Sequence, residues 1–267
     1  MFLNNPSLKA TITPKFSIPF TIECPPLECD FNMTTCSGIP SAQLIIYNLA
    51  SDLINELDGS PKGKSFDFSE IEITAGYDNQ KGVAFKGIIT NTTSYWWDGK
   101  NITLITIADE AYSKACNTII NQSFSKVPLS VIVPAIISAL NLSVGKIQIN
   151  SSKPITYTAM NGFRALYFIS EITESNLYFK NGSVFIVPKI TVSSPAIMTI
   201  TDSQLLNPPT RRFGKWLIKT RFNHSIEMGE SININSEVFT GLVKVESLQS
   251  DFQIGKNNRS TIFIGKQ

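Results

Sequence analysis

The sequence predicts a mainly β protein with an α+β insert. Two related small β-barrels are separated by this insert, which forms an α/β domain. Three patterns support this class: alternating apolar residues in the first hundred positions, helical apolar spacing in the middle, and alternation again near the C-terminus. Because 42% of the 267 residues are hydrophobic and only 16% are charged, the chain can bury a core and global disorder is excluded. We predict three parts, residues 1–109, 110–192 and 193–267.

The first part carries at least five predicted strands, which is consistent with a small barrel or sandwich. Apolar and polar residues alternate in an N-terminal stretch, which precedes a cysteine-bearing loop at 23–41. A polar connection between residues 77 and 83 predicts a hairpin with the strands on either side of it. The predicted strands beyond the cysteine-bearing loop are 42–50, 71–77, 83–90 and 101–108.

The middle part is predicted to be an α/β unit. Its predicted helices are 109–121, 129–140 and 161–172. The third helix places apolar residues three positions apart, the spacing of one helix face, and Pro134 interrupts the second. An Asn-Gly pair, Asn181-Gly182, lies inside an apolar run and predicts a tight hairpin over 177–187.

The last part repeats the order of predicted strands seen in the first. In each part a hairpin is followed by a longer polar connection and a closing strand. The corresponding segments are 71–73 with 232–234, 85–89 with 241–245, and 101–105 with 260–264. We interpret this echo as two related β units, with generic β alternation as the alternative.

The titratable residues argue against a conventional enzyme. A net charge of +2 is too balanced for electrostatic binding to nucleic acid or to a membrane surface, and a single histidine excludes a multi-histidine metal site. The sequence contains neither a phosphate-binding glycine loop nor a nucleophile elbow. His224 lies in a predicted polar turn, where we expect a solvated imidazole. We therefore predict no enzyme activity, catalytic residue, metal or cofactor, with a cell-wall hydrolase as the alternative.

No targeting segment is predicted. The first residues lack the basic start and apolar run of a secretory signal. The longest apolar stretch, 127–140, is shorter than the roughly twenty residues that a membrane-spanning helix needs. We expect no signal peptide and no membrane-spanning segment.

Four cysteines leave three interpretations open. Cys24, Cys29 and Cys36 crowd into one short segment, and Cys116 lies in the middle part. Free thiols in a surface loop, a disulfide between two of the first three, and a metal site completed from elsewhere are all consistent with this spacing.

Two short motifs are candidates for contacts with a partner. Adjacent strand residues point to opposite faces, so we expect one of Trp96 and Trp97 to enter the core and the other to be exposed. An exposed tryptophan here would be an interface anchor or a platform for a sugar. Arg211-Arg212 follows two prolines and is expected to be a solvated pair or to face an acidic or phosphate group.

Taken in order, several segments resemble baseplate hub proteins of contractile-tailed phages, a family that includes the Mu-like hub and the late-control D type. The shared features are an I-x-N-L, an A-G-Y, an F-x-G-x-I, the middle hairpin, a glycine turn and a glycine-led strand. The matching residues are Tyr47, Asn48, Leu49, Ala75, Gly76, Tyr77, Phe85, Gly87, Gly182, Gly229 and Gly241. The cysteine-bearing loop departs from the family pattern, and a spike-like extension is absent, so any spike is expected to be a separate chain.

The resemblance implies a structural virion protein in the tail baseplate, made in the host cytoplasm. Such hubs form a homotrimeric ring in which each chain supplies two tail-tube-like barrels, so that a pseudo-sixfold face adapts the sixfold tail tube to the threefold spike. The implied partners are further copies of the chain, the tail tube protein, the spike protein and other baseplate proteins. DNA passes through the channel without being gripped.

Two further classes stay open. One is a tail-tube or distal-tail ring protein. The other is a secreted glycan-binding β protein with Trp96 or Trp97 as the sugar platform and disulfides among the cysteines.

Overall fold

Strands dominate the computed structural model, at 62% against 17% helix, which confirms the mainly β class with helices in the middle of the chain. The structure describes residues 5–14, 18–36, 39–57, 69–78, 80–149, 154–189, 196, 198–255 and 259–266. The predicted boundary at 192–193 lies outside these ranges.

The elements follow the order of the predicted segments, with additional strands. The strands are β1 (Pro6–Thr13), β2 (Phe20–Cys24), β3 (Cys29–Cys36), β4 (Ile39–Tyr47), β5 (Glu70–Tyr77), β6 (Gln80–Trp97), β7 (Lys100–Ala108), β8 (Ile119–Pro128), β9 (Ser143–Ile147), β10 (Pro154–Asn161), β11 (Ser175–Lys180), β12 (Ser183–Pro188), β13 (Met198–Thr201), β14 (Thr210–Arg212), β15 (Lys215–Arg221), β16 (Ser231–Asn235), β17 (Thr240–Ile254) and β18 (Arg259–Lys266). The helices are α1 (Ser51–Leu57), α2 (Glu110–Asn117), α3 (Leu129–Ala139) and α4 (Gly162–Ile172).

The chain forms two compact units. The first consists of Met1–Thr35, Ser41–Ala108 and Ala196–Gln267, so it contains both of the segments predicted as separate barrels. The second consists of Cys36–Pro40 and Asp109–Pro195. The division of the first unit into two barrels stays a prediction.

The first unit is built on one large sheet with the strand order β14-β15-β18-β17-β3-β4-β7-β6-β5-β1-β2. Strand β16 pairs with β17, and β13 pairs with β16. The strand order ends at β14 and at β2. Among the described strands these two do not pair with each other, so they do not close the sheet into a barrel.

Two antiparallel meanders, β5-β6-β7 and β16-β17-β18, correspond to the echo in the sequence. Each has a long central strand with a bulge: Thr90 interrupts the pairing of β6 with β7, and Glu246 interrupts that of β17 with β18. Alternation brings the isoleucines of both meanders into buried positions, as at Ile73 and Ile234. The two meanders therefore share one plan.

The cysteine-bearing segment predicted as a loop at 23–41 is instead mostly strand. It contains the end of β2, all of β3 and the start of β4. Strand β3 pairs antiparallel with the second half of β17, from Leu248 to Ile254. This pairing joins the N-terminal and C-terminal segments of the first unit into a single sheet.

The second unit packs helices α2, α3 and α4 with the antiparallel pair of β8 and β10 and with a β9-β12-β11 sheet. The helix predicted over 109–121 is too long, because α2 ends at Asn117 and the β-branched pair Ile119-Ile120 begins β8. The Asp109 carboxylate accepts hydrogen bonds from Ala111 N and Tyr112 N at the start of α2, and from Gly182 N at 3.2 Å. It thereby links the helix to the Asn-Gly turn.

Candidate assembly surface

The I-x-N-L residues fix the end of β4 against β7. The Tyr47 hydroxyl donates to Asp30 Oδ2 at 2.9 Å. Asn48 has a left-handed backbone (φ 56°), and it exchanges two hydrogen bonds with the backbone of Asn101, at 2.7 Å and 3.1 Å. Leu49 is buried in the core of the first unit. These contacts determine where the β4 strand ends.

The A-G-Y residues lie at the tight connection from β5 to β6. A Cβ on Gly76 would lie 2.2 Å from the carbonyl oxygen of Gln80, so only glycine permits this approach of the two backbones. Ala75 is buried, and the Tyr77 ring packs edge-to-face on Phe252 with centroids 5.7 Å apart. The motif thus links the first meander to β17.

The remaining motif residues also serve packing and turns. Phe85 is buried, and a Cβ on Gly87 would lie 2.2 Å from the Ala108 carbonyl oxygen on the neighbouring strand. Gly182 completes the Asn-Gly turn, Gly229 donates its amide to Val245 O, and Gly241 pairs with Ile234. None of these contacts forms a chemical site.

Trp96 and Trp97 are both exposed, by 74% and 71%, so the expectation that one of them enters the core is wrong. The hairpin of β6 and β7 continues to the pair Trp97–Lys100, whereas β4 pairs with β7 only as far as Ile102. The end of the hairpin is therefore a two-stranded tip without a layer over either face in the described part of the chain. It presents Tyr95, Trp96 and Trp97 to solvent.

The second edge of β6 is also open in the described part of the chain. Strand β5 pairs with β6 only up to Ile88. The last described backbone hydrogen bond on that side is donated by Ile89 N to Ser69 O. Beyond it, residues 91–97 pair with β7 on one side only. Open strand edges are ready sites for pairing with another chain.

Strand β14 is the other notable edge, and it carries Arg211 and Arg212, both exposed as the sequence predicts for a solvated pair. Its hairpin with β15 turns at Phe213 and Gly214, which both have positive φ. The Phe213 side chain is fully exposed. Sequence reasoning missed this residue, although Phe-Gly in place of Asn-Gly or Asp-Gly at such a turn is a detectable departure.

Cys24 and Cys29 are free, buried thiols in the core of the first unit rather than residues of a surface loop. A hydrogen bond with Cys24 and burial both raise the pKa of the Cys29 thiol, which keeps it protonated and unreactive. Cys116 is a half-buried free thiol. In the described ranges, no group of three or more His, Cys, Asp or Glu side chains is arranged to hold a metal ion.

His224 is partly buried rather than fully solvated. Its imidazole packs directly on Gly82, where an added Cβ would lie 2.2 Å from Nε2. Burial lowers the pKa of His224 below its ordinary value, and the Glu227 carboxylate partly offsets this.

Among the described helices, none is long and apolar enough to cross a bilayer.

Solved structures with a similar architecture include phage tail proteins. The tail protein from Neisseria meningitidis MC58 superposes with a TM-score of 0.67 at 8% identity, over 97% of this chain and 96% of that chain. The 43 kDa tail protein of prophage MuSo2 from Shewanella oneidensis also gives a TM-score of 0.67, at 7% identity and the same coverage. The fold is that of phage tail proteins.

A component of the Escherichia coli type VI secretion system, itself described as structurally similar to bacteriophage T4 tail proteins, has the fold too. It matches with a TM-score of 0.60 at 9% identity, over 90% of this chain and 74% of that chain. No protein-family model matches the sequence. No curated protein matches it either. The similarity is therefore one of fold.

Proposed function

We propose that this chain is the baseplate hub of a phage-type contractile tail, a structural virion protein that assembles as a homotrimeric ring. The observation that carries the proposal is the duplicated meander within one chain. Three chains with two similar meanders each supply six similar sheet elements around one axis. Such a ring matches a sixfold tail tube on one face and a threefold spike on the other.

The shared fold supports a place in a tail or in a related injection machine. The neighbours with high fold similarity are tail proteins and a type VI secretion component. These neighbours are tail structural proteins rather than enzymes. The residues that match the hub motifs make only structural contacts, which suits a mechanical role.

The partners follow from this role. The hub contacts further copies of itself, the tail tube protein, the spike protein and other baseplate proteins, and the exposed Trp96 and Trp97 are candidates for such contacts. With a net charge of +2, a ring of these chains lets DNA pass without strong binding, because tight binding requires clustered Lys and Arg.

The native mass of the purified protein, measured by light scattering on a sizing column, tests the proposal. A trimer has three times the chain mass of 29.5 kDa, or 88.5 kDa. A mass of six chains, 177 kDa, would contradict the hub and favour a tube-type ring. A stable single chain of 29.5 kDa at micromolar concentration would contradict self-assembly and favour the glycan-binding alternative, which sugar binding would test next.

A further inference from the structure

The two halves of the first unit repeat the same row of strands. In one half the order is β3-β4-β7-β6, and in the other it is β14-β15-β18-β17. One junction between these halves lies within the chain, where β17 pairs antiparallel with β3. The equivalent junction would pair the second half of β6 with β14. In a single chain β14 ends the strand order, and residues 91–97 of β6 pair only with β7 among the described strands.

The register across the sheet makes the equivalence specific. Residues directly opposite each other form two matching rows, starting on the central strand of each meander just before its bulge. The first row is Ile89, Ile107 and Ala42, and the second is Val245, Gly265 and Trp216. Ala42 and Trp216 therefore occupy equivalent positions.

The next strand extends each row by one residue. Arg211 lies opposite Trp216 on β14. In the other half, the hydroxyls of Thr34 and Ser41 are 3.1 Å apart, which places the preceding residue, Met33, opposite Ala42. Met33 and Arg211 are therefore equivalent positions on the two outer strands.

The junction inside the chain then gives the register of the missing one. Met33 pairs with Ser250, which lies four residues beyond the bulge at Glu246. Four residues beyond the bulge at Thr90 lies Ser94, on the open edge of β6. A repeat of the junction places Arg211 of one chain opposite Ser94 of another.

We propose that β14 of one copy of this chain pairs antiparallel with the open edge of β6 in the next copy, with Arg211 opposite Ser94. The inference rests on the proposed function, because it names the contact that joins neighbouring chains of the ring. It is a head-to-tail contact between two different surfaces, the kind that closes into a ring when it is repeated.

The side chains on the two edges fit this register. Thr210 would lie opposite Tyr95, and the prolines before it, Pro209 and Pro208, opposite Trp96 and Trp97. The prolines cannot donate to a ladder, so Thr210–Arg212 supplies the backbone hydrogen bonds. Pro209 is buried in its own chain, whereas Pro208 is exposed, and its ring would pack on the indole of Trp97. This pairing accounts for the exposure of Trp97.

The arginines complete the match. In the described ranges neither Arg211 nor Arg212 forms an ion pair, whereas Lys215 beside them binds Glu246 at 2.7 Å. In the proposed register the diagonal neighbours are Arg211 with Trp96 and Arg212 with Tyr95, within reach of long side chains. Guanidinium groups bind favourably over such aromatic faces.

Phe213 is independent support for a contact at this hairpin. A bulky residue rarely adopts a positive φ, and this one (φ 50°) also leaves its ring in solvent. The same two-residue turn is made at Asp98-Gly99 and Asn181-Gly182 with favourable residues. A strained and exposed phenylalanine gains nothing in the isolated chain, but it would meet the start of the open edge in the proposed pairing.

Disulfide trapping tests the register. We would introduce Ser94→Cys and Arg211→Cys into one full-length chain, oxidise it mildly and separate it on a denaturing, non-reducing gel. We expect reducible bands at two and three chain masses, 59 and 88.5 kDa. The matched control is Ser94→Cys with Arg212→Cys, because a shift of one residue turns the side chain to the other face. The unaltered chain and both single variants should stay at 29.5 kDa.

A second measurement tests the energetics of the same contact. Trp96→Thr with Trp97→Thr should raise the concentration at which the native assembly dissociates by at least about tenfold, since exposed aromatic anchors dominate interfaces. Ile119→Thr, which removes an equally exposed apolar side chain from the second unit, is the control and should leave dissociation unchanged.

The outcomes separate the two proposals. A native trimer whose Ser94/Arg211 variant gives no cross-link, or cross-links no better than the control, would overturn the β14–β6 contact and leave the trimeric hub standing. Cross-linked ladders longer than three chains would support the contact and contradict the closed trimer. A protein that stays a single chain with no cross-link would overturn both.

Discussion

The central strands of the two meanders, β17 and β6, differ in whether another strand pairs with one of their edges. In β16-β17-β18, the second half of the central strand pairs with β3. In β5-β6-β7, the equivalent stretch of β6 has no strand on that edge among the described residues and ends in the aromatic tip. Among the described residues, the same plan is therefore completed within the chain once and left incomplete once, as the proposed ring requires.

Phe252 and Trp96 sharpen this contrast because both lie six residues beyond their bulges. Phe252 is fully buried and contacts the rings of Tyr77 and Phe222. Phe252→Ala should lower the free energy of unfolding by about 3–5 kcal/mol, the cost of emptying a core site. Chemical denaturation monitored by fluorescence would measure it. A loss below about 1 kcal/mol would contradict the buried junction of β3 and β17.

The next effect concerns the close approach of strands that both meanders share. A Cβ on Gly87 would lie 2.2 Å from Ala108 O, and one on Gly265 would lie 2.2 Å from Lys244 O. Gly87→Ala and Gly265→Ala should each cost about 1–3 kcal/mol, because backbone must move to admit the methyl group. Thr21→Ala, on an exposed position of β2, is the control for denaturation and should change little.

Gly87 lies on the central strand of the first meander and Gly265 on the closing strand of the second, so each variant tests one close approach separately. A loss below about 0.5 kcal/mol at either glycine would contradict the close approach there.

A smaller effect involves the contact of His224 with the first meander at Gly82. Because burial lowers the pKa of His224 below 6.5, the unfolded chain takes up a proton at a higher pH than the folded chain. The free energy of unfolding should therefore fall as the solution is acidified through the pH range in which the histidine of the unfolded chain takes up its proton. His224→Gln should remove this contribution to the pH dependence of the free energy of unfolding between about pH 5 and 7. Denaturation curves across that range, compared between the two proteins, measure the difference, and identical slopes would contradict the buried imidazole.

The smallest effect is expected at the tip of the first meander. Trp96→Ala should change the free energy of unfolding of the dissociated chain by no more than about 0.5 kcal/mol, since the side chain is exposed. Its fluorescence-monitored denaturation would be compared with that of Phe252→Ala. A loss as large as that of Phe252→Ala would contradict the open tip.

Much of this fold could be predicted because alternation and turn residues act locally. The β5-β6 hairpin, the Asn181-Gly182 turn and the echo between the two meanders all appear in the sequence and in the structure. Alternation gives the face of each side chain, but it does not say whether anything covers that face. For this reason the exposure of both Trp96 and Trp97 could not be predicted.

Tertiary pairing explains the other differences. The predicted helix over 109–121 includes the first three residues of β8, because Ile119-Ile120 favours a strand only once β10 lies beside it. The first three cysteines lie between two strand-like segments, and the sequence predicts a loop there. The structure instead pairs β3 with β17, a strand from a distant part of the chain, and Cys29 is buried. Phe213 is detectable in the sequence as an unfavourable residue before a turn glycine, but the sequence does not show the contact that we propose for it.

Imaging the purified assembly by electron microscopy tests the central claim most directly, that one chain supplies two equivalent elements of a ring. Class averages viewed along the axis should show a closed ring with threefold symmetry and six similar lobes around the channel. A ring of three lobes, a true sixfold ring of six chains, or the absence of any ring at the concentration of the native trimer would contradict it.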